Sequence, residues 1–301
     1  MNLGKFCVGL HMTLWALVAH AQYGTPASLK AELPPGNDLT FSSAAQTTVD
    51  MASMGNALYA PPGVATQTAQ KHPALILFHT CSGISQHIQY WTQEALKEGY
   101  VVLTPNGMRG IKADCGSPSK IPNARLIKDA LDGAAHLAQL PYVDAQRIAV
   151  VGFSKGAFVA TWLSSPSVVQ AIASNAPRPA AYVGLYGFCG LPPTKGRPQG
   201  IVLLQPDTDR PLLMLMGAQD TETPPDSCLA MLPELQQNKA PVQWHLYPNA
   251  THCWDCKDLD GFSKTAPTTN LRVTYRFDPA ITQDSRERVF GFLKKALGEG
   301  Q

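Results

Sequence analysis

The residues with the clearest chemical potential form one pentapeptide, Gly152-Phe153-Ser154-Lys155-Gly156. Its G-x-S-x-G spacing suits a serine nucleophile held on a sharp turn. An apolar run, Ile148 to Val151, precedes it, and Ala157, Phe158, Val159, Ala160, Trp162 and Leu163 follow it. Strand, turn and helix therefore succeed one another in the order such a nucleophile requires. Neighbours crowd the backbone of a tight turn, and the absence of side chains at positions 152 and 156 relieves that crowding. The amide of Lys155, opening the helix, is a candidate donor to a developing oxyanion.

A serine hydroxyl needs a base to take its proton, and the base needs a third group to hold its tautomer. Asp220, in LLMLMGAQDTETPP, and His252, in WHLYPNATHCWD, each follow an apolar run in the chain order expected of acid and then base. Asp255 is the main rival to Asp220, while Glu222 and Asp226 read as solvated or capping groups. His72, His136 and His245 read as structural, and His87 falls at a helix start. The loop His79-Thr80-Cys81-Ser82-Gly83 is the expected source of a second oxyanion donor, with the amide of Cys81 the choice and His79 a packing group. Arg109, in PNGMRG, is a candidate for a bidentate contact with a substrate carboxylate, against a surface role. Tyr186 and Trp162 are candidates for the wall of an acyl pocket, with core packing favoured for Trp162.

The elements that must position these groups alternate. Apolar runs at 74–78, 100–103, 147–151, 182–186, 212–216 and 242–247 predict strands, and the intervals 86–97, 123–139, 155–164 and 227–237 predict helices. A last helix is expected over 285–297, with Ser285 as N-cap and Gly298 as its stop. Segments 39–41 and 56–60 read as an antiparallel edge pair. This order predicts a three-layer α/β sandwich around a mainly parallel sheet, with antiparallel N-terminal edge strands.

Composition bounds the rest. Of 301 residues, 45% are hydrophobic and 15% charged, so the chain can bury a large core. A formal net charge of +2, without a basic cluster interleaved with aromatics, argues against a nucleic-acid partner. Residues 1–21 read as a signal peptide: Lys5 supplies the positive start, Phe6 to Val18 the apolar run, and Ala19-His20-Ala21 the cleavage signal. The run is too short to span a bilayer, so a periplasmic or secreted protein without membrane insertion is expected. Residues 22–54 then form an N-terminal extension with an edge strand, and 55–301 the folded domain. Past the signal, six cysteines remain, an even number in an oxidising compartment. They allow fifteen pairings. Cys81 with Cys115 and Cys189 with Cys228 are expected from their places in loops at one sheet edge, and Cys253 with Cys256 as a local bridge.

Taken together, LILFHTCSG, PYVDAQRIAVVGFSKGA, VGLYG, LLMLMGAQDTETPP and YPNATH resemble the dienelactone hydrolase family of the α/β-hydrolase superfamily. The resemblance extends from about residue 55 to residue 298. It implies Ser154 as nucleophile, Asp220 as orienting acid, His252 as base and the amides of Cys81 and Lys155 as oxyanion hole. It also implies a small ester or lactone substrate, cleavage through an acyl-enzyme, and no cofactor or metal. The chain departs from the family in three ways: the naming enzyme uses a cysteine where Ser154 stands, Ala157 replaces a common glycine, and 256–279 is longer than the usual connection. Two other readings are a serine peptidase of prolyl-oligopeptidase type, against which the chain has no propeller-sized N-terminal region, and a catalytically silent binding protein.

Overall fold

The structure is a computed structural model that describes residues 39–50, 55–66, 70–111, 115, 123–173, 176–191, 193 and 200–298. The expected signal peptide and most of the expected N-terminal extension lie outside the described residues. Seven strands make the main sheet: β1 (Ala57–Tyr59), β2 (His72–Phe78), β3 (Val101–Thr104), β4 (Val143–Phe153), β5 (Ala181–Leu185), β8 (Leu212–Gly217) and β9 (Val242–Tyr247). Their order is β1-β3-β2-β4-β5-β8-β9. All neighbours run parallel except β1, which pairs antiparallel with β3.

Period-2 alternation sends successive side chains of these strands into two separate cores. Ile76, Val150, Tyr182 and Met214 face one layer, packed by helices α2 (Asn123–Gln139), α3 (Lys155–Leu163), α4 (Pro166–Ala173) and α5 (Asp226–Gln237). Leu75, Leu77, Val151, Val183 and Leu213 face the other, covered by α1 (Gln86–Lys97) and α6 (Pro279–Ala296). Such double burial explains why the strands read as unbroken apolar runs. The result is the expected three-layer α/β arrangement.

Three local expectations are corrected. Residues 39–41 form no strand; β1 finds its antiparallel partner in β3, and among the described residues of the extension the β-pairing is a bridge from Gln46 to Tyr59. The last helix starts six residues earlier than Ser285. Asp278 caps it, its Oδ1 accepting from the amides of Ala280 and Ile281 at 2.9 Å each, and Pro279 occupies the first helical position. Ser285 is instead buried inside the helix, donating to the carbonyl of Thr282 at 2.9 Å. Helix α4 and two short hairpins, β6 (Gly190–Leu191) with β7 (Ile201–Val202) and β10 (Ser263–Thr265) with β11 (Arg272–Thr274), were not expected at all. The last of these lies within the long connection that follows His252. All three expected disulfides are present: Cys81–Cys115, Cys189–Cys228 and Cys253–Cys256.

Candidate active site

Ser154 joins β4 to α3 with φ 52° and ψ −110°, a strained conformation for a residue with a side chain. Its amide donates to the carbonyl of Leu185 at the end of β5, 2.9 Å away. The two flanking glycines are sterically required. A Cβ on Gly152 would lie 2.1 Å from the carbonyl oxygen of Gly156, and one on Gly156 would lie 2.3 Å from that of Phe78. Helix α3 can thus press against the ends of β2 and β4, which raises the serine above the sheet edge.

Asp220 and His252 follow β8 and β9, which are neighbours in the sheet. Their loops are stitched together: the amide of Ala218 donates to Tyr247 and that of Gln219 to Ala250. His252 Nε2 lies 3.0 Å from Ser154 Oγ, and His252 Nδ1 lies 2.8 Å from Asp220 Oδ2. The three residues are all buried. Asp220 Oδ1 also accepts from the amides of Glu222 and Thr223, at 2.9 and 2.8 Å. The hydroxyl of Thr223 stands 2.6 Å from Asp220 Oδ2, a contact that sequence reasoning missed.

Electrostatics follow from this packing. Burial would raise the pKa of Asp220, but the imidazole of His252 and the hydrogen bonds of Thr223 outweigh it and leave the carboxyl below its usual range. For His252, burial would lower the pKa, and the negative charges of Asp220 and then Glu222 reverse this into a net rise. Glu222, read from sequence as solvated or capping, is in fact buried against the imidazole: its Oε2 lies 3.8 Å from His252 Nε2. It is held by Lys264 and Tyr275, both brought in by the hairpin region after His252. The length of that connection was the one sequence signal that pointed to them.

The oxyanion candidates flank the serine. Lys155 is the next residue and the first of α3, while its ammonium donates to Asn123 and lies 5.3 Å over the ring of Phe158. Cys81 sits in the turn after β2, whose last residue Phe78 pairs with Gly152. The disulfide to Cys115 anchors that turn. His79 supports it as a packing group, Nδ1 donating to the carbonyl of Thr80 at 2.7 Å and Nε2 accepting from the amide of Gly107 at 3.0 Å. Burial pushes its pKa down, in keeping with a neutral ring.

The two substrate-binding candidates are engaged elsewhere. Arg109 makes a bidentate pair with Asp129 of α2, at 2.5 and 2.9 Å, so its fork faces a carboxylate of the protein itself. Tyr186 is 1% exposed, and its hydroxyl donates to Asp255 at 2.9 Å. Asp255, the rival acid, accepts further from His87 at 3.0 Å and Trp91 at 2.8 Å, a buried network beneath the site. Its carboxylate is thereby committed to these donors, and the acid beside His252 is Asp220. Tyr186 instead packs its ring edge-on against His252, with centroids 5.0 Å apart.

Sheet order, elbow and the strand ends that carry these side chains define an α/β-hydrolase fold. The model of the dienelactone hydrolase family matches residues 62–297, and the chain belongs to that family. A relative from Salmonella typhimurium named "Putative carboxymethylenebutenolidase" is 27% identical over 204 residues, covering 64% of this chain and 72% of its own. Among solved structures, a Klebsiella pneumoniae protein titled "Putative Dienelactone Hydrolase" superposes with a TM-score of 0.60 at 21% identity, covering 79% of this chain and 91% of its own. The Lactobacillus plantarum carboxylesterase Cest-2923 gives a TM-score of 0.57 at 17% identity, covering 80% and 92%.

Proposed function

We propose that the protein is an exported serine hydrolase that cleaves carboxylic ester or lactone bonds through an acyl-enzyme. The observation that carries this reading is the continuous hydrogen-bonded chain from Ser154 Oγ through His252 to Asp220. His252 Nε2 takes the proton of Ser154 as Oγ attacks the substrate carbonyl carbon. The resulting oxyanion is received by the amides of Lys155 and Cys81. Collapse of the tetrahedral species breaks the bond to the leaving oxygen, which takes the proton from His252. Water then attacks the acyl-serine by the same route, releasing the acid and restoring the hydroxyl. Asp220 keeps the imidazole in the tautomer with Nδ1 protonated and supports its positive charge when it forms.

Export is supported by the charged, apolar and small-residue pattern of residues 1–21 and by three disulfides joining all six remaining cysteines. Among the described residues no helix is long and apolar enough to cross a membrane. The names of the relatives point to lactone and simple ester substrates. A screen of acyl and lactone substrates on the oxidised wild-type protein, beside Ser154→Ala, tests the reading. Turnover with the wild type, its loss by at least about 10⁴-fold in the variant, and covalent labelling of Ser154 by a fluorophosphonate are expected. A folded wild-type protein that takes no label would refute it in favour of a silent hydrolase-fold binding protein.

A further inference from the structure

Glu222 belongs neither to the expected triad nor to the oxyanion turn, yet one of its oxygens faces the reaction centre. Its Oε2 stands 3.8 Å from His252 Nε2, the nitrogen bonded to Ser154 Oγ, whereas Asp220 engages Nδ1 on the far edge of the ring. That distance is too long for a direct hydrogen bond, and a water lying to one side of the pair would be within reach of both atoms. The carboxylate is built into the site: it is 8% exposed, Oε1 accepts from the ammonium of Lys264 at 2.7 Å, and Oε2 accepts from the hydroxyl of Tyr275 at 2.6 Å. Lys264 also donates to the carbonyl of Cys115 at 2.7 Å, which ties the hairpin to the disulfide that anchors the oxyanion turn. A salt bridge to Lys264 would stand wherever the second oxygen pointed. The Tyr275 hydroxyl fixes that second oxygen beside the imidazole edge that faces Ser154, so a buried carboxylate oxygen is held at the place where an attacking water must stand.

We propose that Glu222 is a positioning residue for deacylation, its Oε2 accepting a hydrogen bond from the water that hydrolyses the acyl-enzyme. This rests on the serine acyl-enzyme reading above. The water oxygen forms a bond to the acyl carbonyl carbon while one of its protons passes to His252 Nε2; the other stays in the hydrogen bond to Glu222. The tetrahedral species then breaks its bond to Ser154 Oγ, the proton on His252 moves to that oxygen, and the carboxylic acid departs. The imidazolium formed in between is faced by the carboxylates of Asp220 and Glu222, the ammonium of Lys264, and the phenols of Tyr186 and Tyr275, whose rings lie 5.0 and 5.5 Å from its own.

The test compares wild type with Glu222→Gln and Tyr275→Phe in stopped-flow hydrolysis of a p-nitrophenyl ester, with thermal unfolding as the folding control. Glu222→Gln is expected to release about one equivalent of nitrophenolate in a burst and then turn over roughly 10-fold to 100-fold more slowly. Hydroxylamine, a stronger acyl acceptor than water, restores much of that turnover, and the acid limb of kcat/KM moves to lower pH. Tyr275→Phe keeps the carboxylate on Lys264 but removes the donor that fixes the position of Oε2, so the water's acceptor is misplaced; deacylation slows less than in Glu222→Gln and acylation is unchanged. Steady-state rate and acid limb like the wild type in a folded Glu222→Gln would overturn the proposal. So would equal slowing of acylation and deacylation without rescue by hydroxylamine, the signature of a structural role. If Glu222→Gln does not fold, an unaltered deacylation rate in Tyr275→Phe overturns it. Failure of the wild type to label at Ser154 is a different outcome and removes the serine reading itself.

Discussion

At the scale of single residues, the proposed mechanism makes His252 the group whose ionisation governs activity. Its imidazole must be neutral to accept the proton of Ser154, so activity falls as pH drops through its pKa. Burial acts to lower that pKa, and the carboxylates of Asp220 and Glu222 raise it above the ordinary 6.5. The acid limb of kcat/KM is therefore expected to centre above pH 6.5, and a pH profile with a limb below that value would contradict the arrangement. Asp220→Asn removes the larger of the two supporting charges while leaving the burial. Its acid limb shifts toward lower pH, and kcat falls by about 10⁴-fold as the favoured tautomer is lost. Both are read from one set of pH profiles. Asp255, by contrast, holds its charge for the sake of the fold: burial opposes ionisation, but His87, Trp91 and Tyr186 donate to it and bring its pKa below normal.

At the scale of elements, caps and close approaches decide what the chain can tolerate. The N-terminus of α6 depends on one carboxylate that satisfies two amides, so Asp278→Ala should cost about 1 kcal/mol, seen as a lower midpoint in chemical denaturation. No loss in that measurement would mean that the first turn is held by packing alone. The elbow is far less forgiving. A methyl group on Gly156 meets the backbone of Phe78 rather than a side chain that can swing away. Gly156→Ala therefore must displace α3 or β2, and loss of fluorophosphonate labelling is expected even where folded protein is recovered. The hairpin β10–β11 carries little sequence signal, because its strands are three residues long and mostly polar. Lys264 and Tyr275 nevertheless reach the centre of the site from this region.

At the scale of the whole molecule, the disulfides close loops that the sheet alone does not lock. Cys189–Cys228 joins the segment after β5 to α5 across a separation of 39 residues, and both cysteines are fully buried. Removing such a cross-link frees the unfolded chain by about 4 kcal/mol in the chain-entropy account. Replacing both residues with alanine is expected to lower the thermal midpoint by several degrees or more, with Ser154 still open to labelling in the folded fraction. An unchanged midpoint in calorimetry would show that the loop carries its order without the bridge. Each side of the sheet has its own apolar core, so the site at the strand ends is braced from both faces.

Much of this was legible in the letters because it is local. The elbow needs two glycines within five residues, the buried strands need unbroken apolar runs, and acid and base each follow such a run at short offset; neighbours in sequence encode all three. The start of α6 escaped because its apolar stripe is clear only from Val289 onward, while the cap lies eleven residues earlier, at Asp278. What only the tertiary structure decided is which polar groups share a buried space. Glu222 and Asp220 are two residues apart and chemically alike, and Tyr186 and Arg109 looked as suited to substrate as to anything else. Each found its partner more than fifteen residues away in the chain, and burial, by stripping those groups of water, is what made the choice of partner matter.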